Sequence, residues 1–331
     1  MRFDRLKRRD FIRLLGAAAA WPLAVHAQES KRVGVLMNAV ETDATSQAFV
    51  AAFVQQLKRL GWIDGQNLHV DYRWNAGDAK MARTYAAELV KLAPDAILSA
   101  STTNLAALQR LSPTMPIVFL QVSEPVTQGF VLNLARPGGN ITGFSAYEFT
   151  IGSKWVDLLK QLVPTITRVA VMFNPQTSPQ SKFFLSSVES AASPLKVEVN
   201  AIHVQSSADI ELAIENVSHQ PNSGLIFPPD AFTIVHREQI VALAARHRVP
   251  VIYSQTVFVQ SGGLMSYGPQ FEEQFRQAAV DVDRILKGTK PGELPVQSPT
   301  KFTLAINLKT AKALGFEIPV GLLLIADEQI E

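Results

Sequence analysis

The chain has no cysteine. That excludes disulfides, thiolate metal sites, a cysteine nucleophile and the lipid-modified cysteine of a lipoprotein anchor. Histidine is scarce. The six residues (His26, His69, His203, His219, His236, His247) are scattered, with no H-E-x-x-H or H-x-x-E-H pair. The first apolar run ends in Met37-Asn38-Ala39-Val40-Glu41-Thr42, so no G-x-G-x-x-G follows it, and no G-x-x-x-x-G-K-[ST] phosphate loop or G-x-S-x-G serine occurs. These gaps remove dinucleotide and phosphate motifs, leave no arguable nucleophile–base pair and no visible metal-ligand set, and set the expectation of a protein without catalysis, cofactor or metal. Low-complexity tracts are missing too, and Pro and Gly sit at turn positions along the chain.

What is present begins with a basic start: Arg2, Arg5, Lys7, Arg8, Arg9 and Arg13. An apolar run follows from Leu14 to Val25. Val25-His26-Ala27 then places small residues at −3 and −1 before polar Gln28. This is the pattern of a cleavable export signal, too short for a membrane span of ~20 residues. The Arg8-Arg9-Asp10-Phe11 string resembles a twin-arginine signal, although Lys7 stands where Ser or Thr is usual, so Sec export stays open. Periplasmic release follows, and nothing after residue 27 is expected to hold the chain in a membrane. The leader carries six basic and two acidic residues. Removing them from the totals of 31 and 29 leaves 25 and 27, a net charge near −2. The whole-chain pI of 8.8 therefore belongs to the leader and gives no ground for nucleic-acid binding.

The remaining chain alternates short apolar runs with amphipathic patterns. Runs at 33–38, 68–74, 95–100 and 116–122 alternate with helical spacing. They predict βαβαβαβ with right-handed crossovers and an open parallel sheet. The pattern restarts after residue 152, with strands at 167–174, 195–202, 224–230 and 249–253 and helices at 153–164, 178–192, 208–218 and 232–247. Ser46 is the expected cap of the first helix. Three stretches read as crossings between the arrays: Arg136–Tyr147, Leu264–Pro269 and Thr300–Asn307. The expected fold is α/β, two doubly wound parallel-sheet lobes joined by a three-strand hinge. Its segments are a leader at 1–27, an N-terminal lobe at 28–142 plus 269–299, and a C-terminal lobe at 143–268 plus 300–331.

In open parallel sheets, ligands sit beyond the carboxyl ends of the strands. Those ends carry Asn38, Ser101, Thr102, Thr103, Gln121 and Ser123 in the first lobe. The second lobe offers Asn174, Asp230 and Tyr253, and the crossing offers Tyr147. Most are uncharged hydrogen-bonding groups. Ser101–Thr103 stand where a helix begins, so hydroxyls and free N–H groups can hold a carboxylate; simple capping is the alternative. Asp230 can pair with an ammonium or serve only as a helix cap. Tyr147 and Tyr253 can wall a ligand or fill a core.

The stretches RRDFIRLLGAAAAWPLAVHAQ, VGVLMN, FVQQLKRLGWIDGQNLHVDYRW, PIVFLQVSEPVTQGFV, LARPGGNITGFS and ADEQI resemble the TrpX/TrpY-like substrate-binding proteins of ABC transporters. The resemblance covers essentially the whole mature chain. It implies a type I periplasmic-binding-protein fold with three crossings, and a membrane permease and ATPase as partners. In related amino-acid binders, first-lobe hydroxyls hold the carboxylate, and Ser101, Thr102, Thr103 and Ser123 match that role by position. A second-lobe acid holds the ammonium, and Asp230 matches by position. The expected protein is a monomeric periplasmic receptor that closes on a small organic ligand, such as an amino acid or aromatic acid. A sensor subunit for a membrane signalling protein and an exported enzyme are the rivals.

Overall fold

A computed structural model describes residues 30–331 of the 331-residue chain. The leader expected over residues 1–27 lies outside the described residues. The first lobe opens with β1 (Lys31–Met37), an apolar run buried along most of its length. It alternates with α1 (Ala44–Arg59), β2 (Leu68–Trp74), α2 (Ala79–Lys91), β3 (Ala96–Ala100), α3 (Thr102–Leu111), β4 (Ile117–Val122) and β5 (Ile141–Ser145). The strands form one parallel sheet in the order β2-β1-β3-β4-β5. Val33 sits opposite both Val70 and Ala96, so the apolar centre of β1 is sealed on both sides. On α1, Val50, Phe53 and Leu57 recur at helical spacing and are buried.

The second lobe contains α4 (Ile151–Leu162), β6 (Arg168–Phe173), α5 (Ser181–Ala192), β7 (Glu198–His203), α6 (Ser207–Ser218) and β8 (Ser223–Phe227). These lead to α7 (Ala231–Val235), α8 (Arg237–Arg246), β9 (Val251–Tyr253), α9 (Thr256–Gln260) and β10 (Met265–Pro269). The chain then returns to the first lobe as α10 (Glu272–Leu286), which packs beside α1 and under β3, β4 and β5. Phe275 of α10 stacks on Phe49 of α1 with ring centroids 5.2 Å apart. The final elements, β11 (Phe302–Asn307), α11 (Leu308–Leu314), α12 (Val320–Ile325) and β12 (Glu328–Ile330), complete the second sheet, ordered β12-β11-β10-β9-β8-β6-β7. Among the described residues, no helix is long and apolar enough to cross a membrane.

The chain therefore passes between lobes three times: after β5, after β10 and before β11. The first and third passages run side by side. Ser145 N donates to Gln297 O at 2.8 Å, and Gln297 N to Gly143 O at 3.0 Å. Tyr147 anchors the junction. Its ring meets Trp155, Phe184, Phe271 and Phe302 edge-on, and its hydroxyl donates to Ser254 O at 2.6 Å. Gly268, on the second passage, packs so closely that a Cβ there would lie 1.9 Å from Ser254 O.

Several local expectations change. The second sheet is mixed, because β11 runs antiparallel to β10, with Gly268 opposite Thr303. Chain returning from the first lobe enters the second sheet at the end where β10 left it, so it must run the other way. The single helix expected over 232–247 is two, α7 and α8, broken at His236 (φ −92°, ψ 14°), whose backbone N donates to Phe232 O at 3.2 Å. The cap of α1 is Asp43, which accepts from Ser46 N at 2.8 Å, so Ser46 lies inside the first turn. The helix expected from Ser178 starts at Ser181, because Ser178 turns instead to donate its hydroxyl to Pro229 O at 2.7 Å. The sequence pattern carries no forewarning of α12 or β12.

Candidate functional site

The ends of β1, β2 and β3 are fixed to one another before any ligand is considered. Asn104, fully buried in the first turn of α3, donates from Nδ2 to Leu36 O (3.2 Å) and Ala100 O (2.7 Å). Its Oδ1 accepts from Asn75 Nδ2 at 2.6 Å. An amide with both ends bonded is a rigid clamp on the strand ends. Ser101 caps α3 with Oγ accepting from Asn104 N at 3.3 Å, and its φ of +96° is a strained value for a residue with a Cβ. Thr102 is 4% exposed, and its hydroxyl has no partner within the protein. Thr103 Oγ1 donates to Thr177 O, 2.8 Å away in the other lobe.

Across the cleft, Asp230 caps α7 and is buried. Oδ2 accepts from Asn174 N (2.8 Å). Oδ1 accepts from Phe232 N (3.1 Å) and from the Thr177 hydroxyl. Burial pushes its carboxyl up to about 6, and the hydrogen bonds from Thr177, Asn174, Phe232 and Thr233 hold the rise in check. No cation lies within ion-pair distance of Asp230 among the described residues. The buried hydroxyl of Ser254 and Oε1 of Gln180 are also without partners within the protein. Buried polar atoms are ordinarily satisfied, so unpartnered groups at the carboxyl ends of both sheets are hydrogen-bonding capacity held in reserve.

The structure thus brings Thr103, Asn174 and Asp230 into one connected cluster, with Ser101 and Thr102 at its first-lobe side. The link is Thr177, which the sequence reading missed; a loop threonine four residues beyond a strand end carries no signal of its own. Asn38 and Gln121 lie elsewhere, on the wall of an inter-lobe cavity of about 470 Å³. Phe49, Phe271 and Ile234 supply its apolar surface. Gln255, Gln260 and Gln270 supply amides, and Asp43, Glu272 and Glu328 the charges; among the described residues no basic side chain lines it. Ser123 is 1% exposed, and its carbonyl accepts from the Gln128 side chain. Tyr253 lies within the second-lobe core, stacked on Phe258 (4.5 Å) and Phe227 (5.5 Å). Tyr147 is the hinge anchor described above. Burial raises the ionisation of both tyrosines far above its usual range, so they act as neutral rings. Asp43 and Phe271 were also unforeseen. Asp43 was detectable as an Asp three residues before Ser46 at a helix start, whereas Phe271 was hidden in a helix stripe.

Comparison with known proteins bears on this geometry. A curated relative, the tyrosine-binding protein of Clostridioides difficile, is 26% identical over 290 residues, spanning 88% of this chain and 82% of the relative. A crystal structure of a conserved domain protein from Vibrio cholerae overlays with a TM-score of 0.81 at 26% identity, covering 91% of this chain and all of that one. An ABC domain from Streptococcus pneumoniae in complex with L-Trp overlays at 0.78 with 22% identity, covering 90% and 100%. A solute-binding protein from Agrobacterium vitis with bound allitol overlays more loosely, at 0.59. These neighbours share the two-lobed type I periplasmic-binding-protein fold. The family model described as ABC transporter substrate binding protein matches residues 32–330, and the chain belongs to that family.

Proposed function

We propose that the protein is the periplasmic receptor of an ABC importer and carries an aromatic amino acid, such as tyrosine or tryptophan, between its lobes. The lobes are residues 28–142 plus 269–299 and residues 143–268 plus 300–331 as the sequence reads them, with all of β5 joining the first and all of β10 the second. One observation carries the reading. A buried acid without a cation, Asp230, is joined through Thr177 to a helix start whose Thr102 hydroxyl has no partner. An α-amino acid offers the complementary charges at short spacing. Its carboxylate suits the N–H groups and hydroxyl at the start of α3, and its ammonium restores the charge balance of Asp230. The relatives' tyrosine and L-Trp support the same class.

In this role the protein works as a monomer, without cofactor or turnover, and hands its cargo to a permease and ATPase at the inner membrane. Closure follows the ligand only to the extent that the ligand binds the closed form better than the open one. The test is thermal melting of residues 28–331 against amino acids, aromatic acids and sugars, after any carried ligand is removed by unfolding and refolding. A ligand at a hundred times its Kd adds ~2.7 kcal/mol of stability. L-tyrosine or L-tryptophan is expected to raise the melting temperature by several degrees, and Asp230→Ala to abolish the shift. A shift confined to sugars would overturn the cargo class.

A further inference from the structure

Among the described residues, three inter-lobe contacts stand out. Thr103 bonds to Thr177, Gly77 lies against the Ala231 backbone, and the Arg237 guanidinium meets the Asp43 carboxylate. The third contact differs in kind. The other ion pairs described, such as Arg73–Glu88 and Arg168–Glu198, stay within one lobe, and each has at least one side chain more than a third exposed. In the Arg237–Asp43 pair the side chains are 15% and 4% exposed.

We propose that Asp43 and Arg237 form an electrostatic latch between the lobes, which sets the lifetime of the closed state and so the rate of cargo release. Asp43 is held from within its own lobe, because Oδ1 accepts from Ser46 N and caps α1, leaving Oδ2 for Arg237. Arg237 opens α8, with Nη1 donating to Ile234 O at 3.3 Å. Its Nε is buried and unpartnered, so Asp43 is the anion that offsets its charge. Burial alone would raise the Asp43 carboxyl. The Ser46 hydrogen bonds and Arg237 outweigh that and hold it below the usual carboxylate range. Asp43 and Ile234 both line the inter-lobe cavity, so parting the lobes there separates the pair and returns both charges to water. Neither lobe loses an internal hydrogen bond when this happens. The pair therefore reports on closure and not on folding.

The proposal rests on the receptor reading only for its release-rate arm. Because the chain has no native cysteine, spin labels at Lys91→Cys and Glu215→Cys, one exposed site in each lobe, measure the inter-lobe distance in the ligand-free protein. Salt is varied from about 0.01 M to 1 M, over which the screening length falls from ~30 Å to ~3 Å. We expect the short-distance population to shrink with salt. In Arg237→Gln and in Asp43→Asn, which keeps the cap acceptor, it should be smaller and insensitive to salt. The double variant should match the singles, since the interaction is already gone. With L-tyrosine as probe, each single variant should release ligand about tenfold faster, with the association rate changed less. Equal distance distributions and salt responses in all four proteins would overturn the latch. If L-tyrosine binds none of them, the cargo assignment fails and the distance measurement decides the latch alone.

Discussion

Asp230 is charged at neutral pH against the tendency of its surroundings, and this has two consequences of opposite sign. With its folded value raised to about 6 from an ordinary 3.8, the ligand-free protein binds the proton more tightly than the unfolded chain does. This group's contribution to stability is therefore full below pH ~4 and is lost as pH rises through about 6. Asp281, also pushed up to about 6 by burial, acts in the same direction. An ammonium-bearing ligand reverses the trend, because it prefers the ionised carboxylate. Its affinity is expected to fall about tenfold between pH 7 and pH 5, as read by titration calorimetry. A flat profile would mean that Asp230 only caps α7. Tyr147 makes a simpler case. Tyr147→Phe leaves the buried Ser254 carbonyl without its donor and should cost about 1–3 kcal/mol in urea unfolding. At this scale the sequence was a partial guide. Strand-end position picked out Thr103, Asn174 and Asp230, which do meet. It could not separate Tyr253, a core ring, from a cleft ring, because both follow a strand. Asp43, Arg237 and Thr177 owe their roles to partners in the opposite lobe, and no local pattern encodes such a pairing.

Among the elements, apolar periodicity located most strands and helices closely, β2 at Leu68–Trp74 among them. It failed where local geometry or topology ruled. The stretch 232–247 has continuous helical character, yet it bends at His236 and so gives α8 its own start, with Arg237 first. Strand direction is invisible to periodicity, so β11 read like its parallel neighbours. The hinge strand β10 is the element least tolerant of change. Gly268→Ala would push a methyl into the Ser254 carbonyl and against the Tyr147 hydroxyl. Overpacking there is expected to cost upwards of ~1–3 kcal/mol, measured by chemical unfolding. If instead Gly268→Ala melts like the parent, the passage is looser than its contacts imply.

For the molecule as a whole, the expected behaviour is a hinge with two positions. The lobes as described touch through Thr103–Thr177 and Asp43–Arg237, so this is a closed arrangement. Small-angle scattering should give a larger radius of gyration for stripped protein than for protein saturated with cargo. Thr103→Val, which removes one bond across the cleft, should weaken cargo binding by several-fold while leaving the melting temperature of the stripped protein nearly unchanged. A fall in that temperature instead would place Thr103 among residues that hold the first lobe together.

The order in which the chain is laid down gives α10 a further importance. This helix, at residues 272–286, covers a face of a sheet whose last strand ended at residue 145. A growing chain that has made all five strands still lacks one wall of that lobe for more than a hundred residues. The second lobe likewise waits for β11 and β12 to finish its sheet. The first lobe therefore completes only after most of the second has been made, and the second completes last. A single cut between α10 and β11 would leave each fragment short of a part, and synthesis delivers a nearly complete polypeptide before either lobe can close its core. Both cores therefore close late in synthesis, the first when α10 is made and the second when β11 and β12 follow.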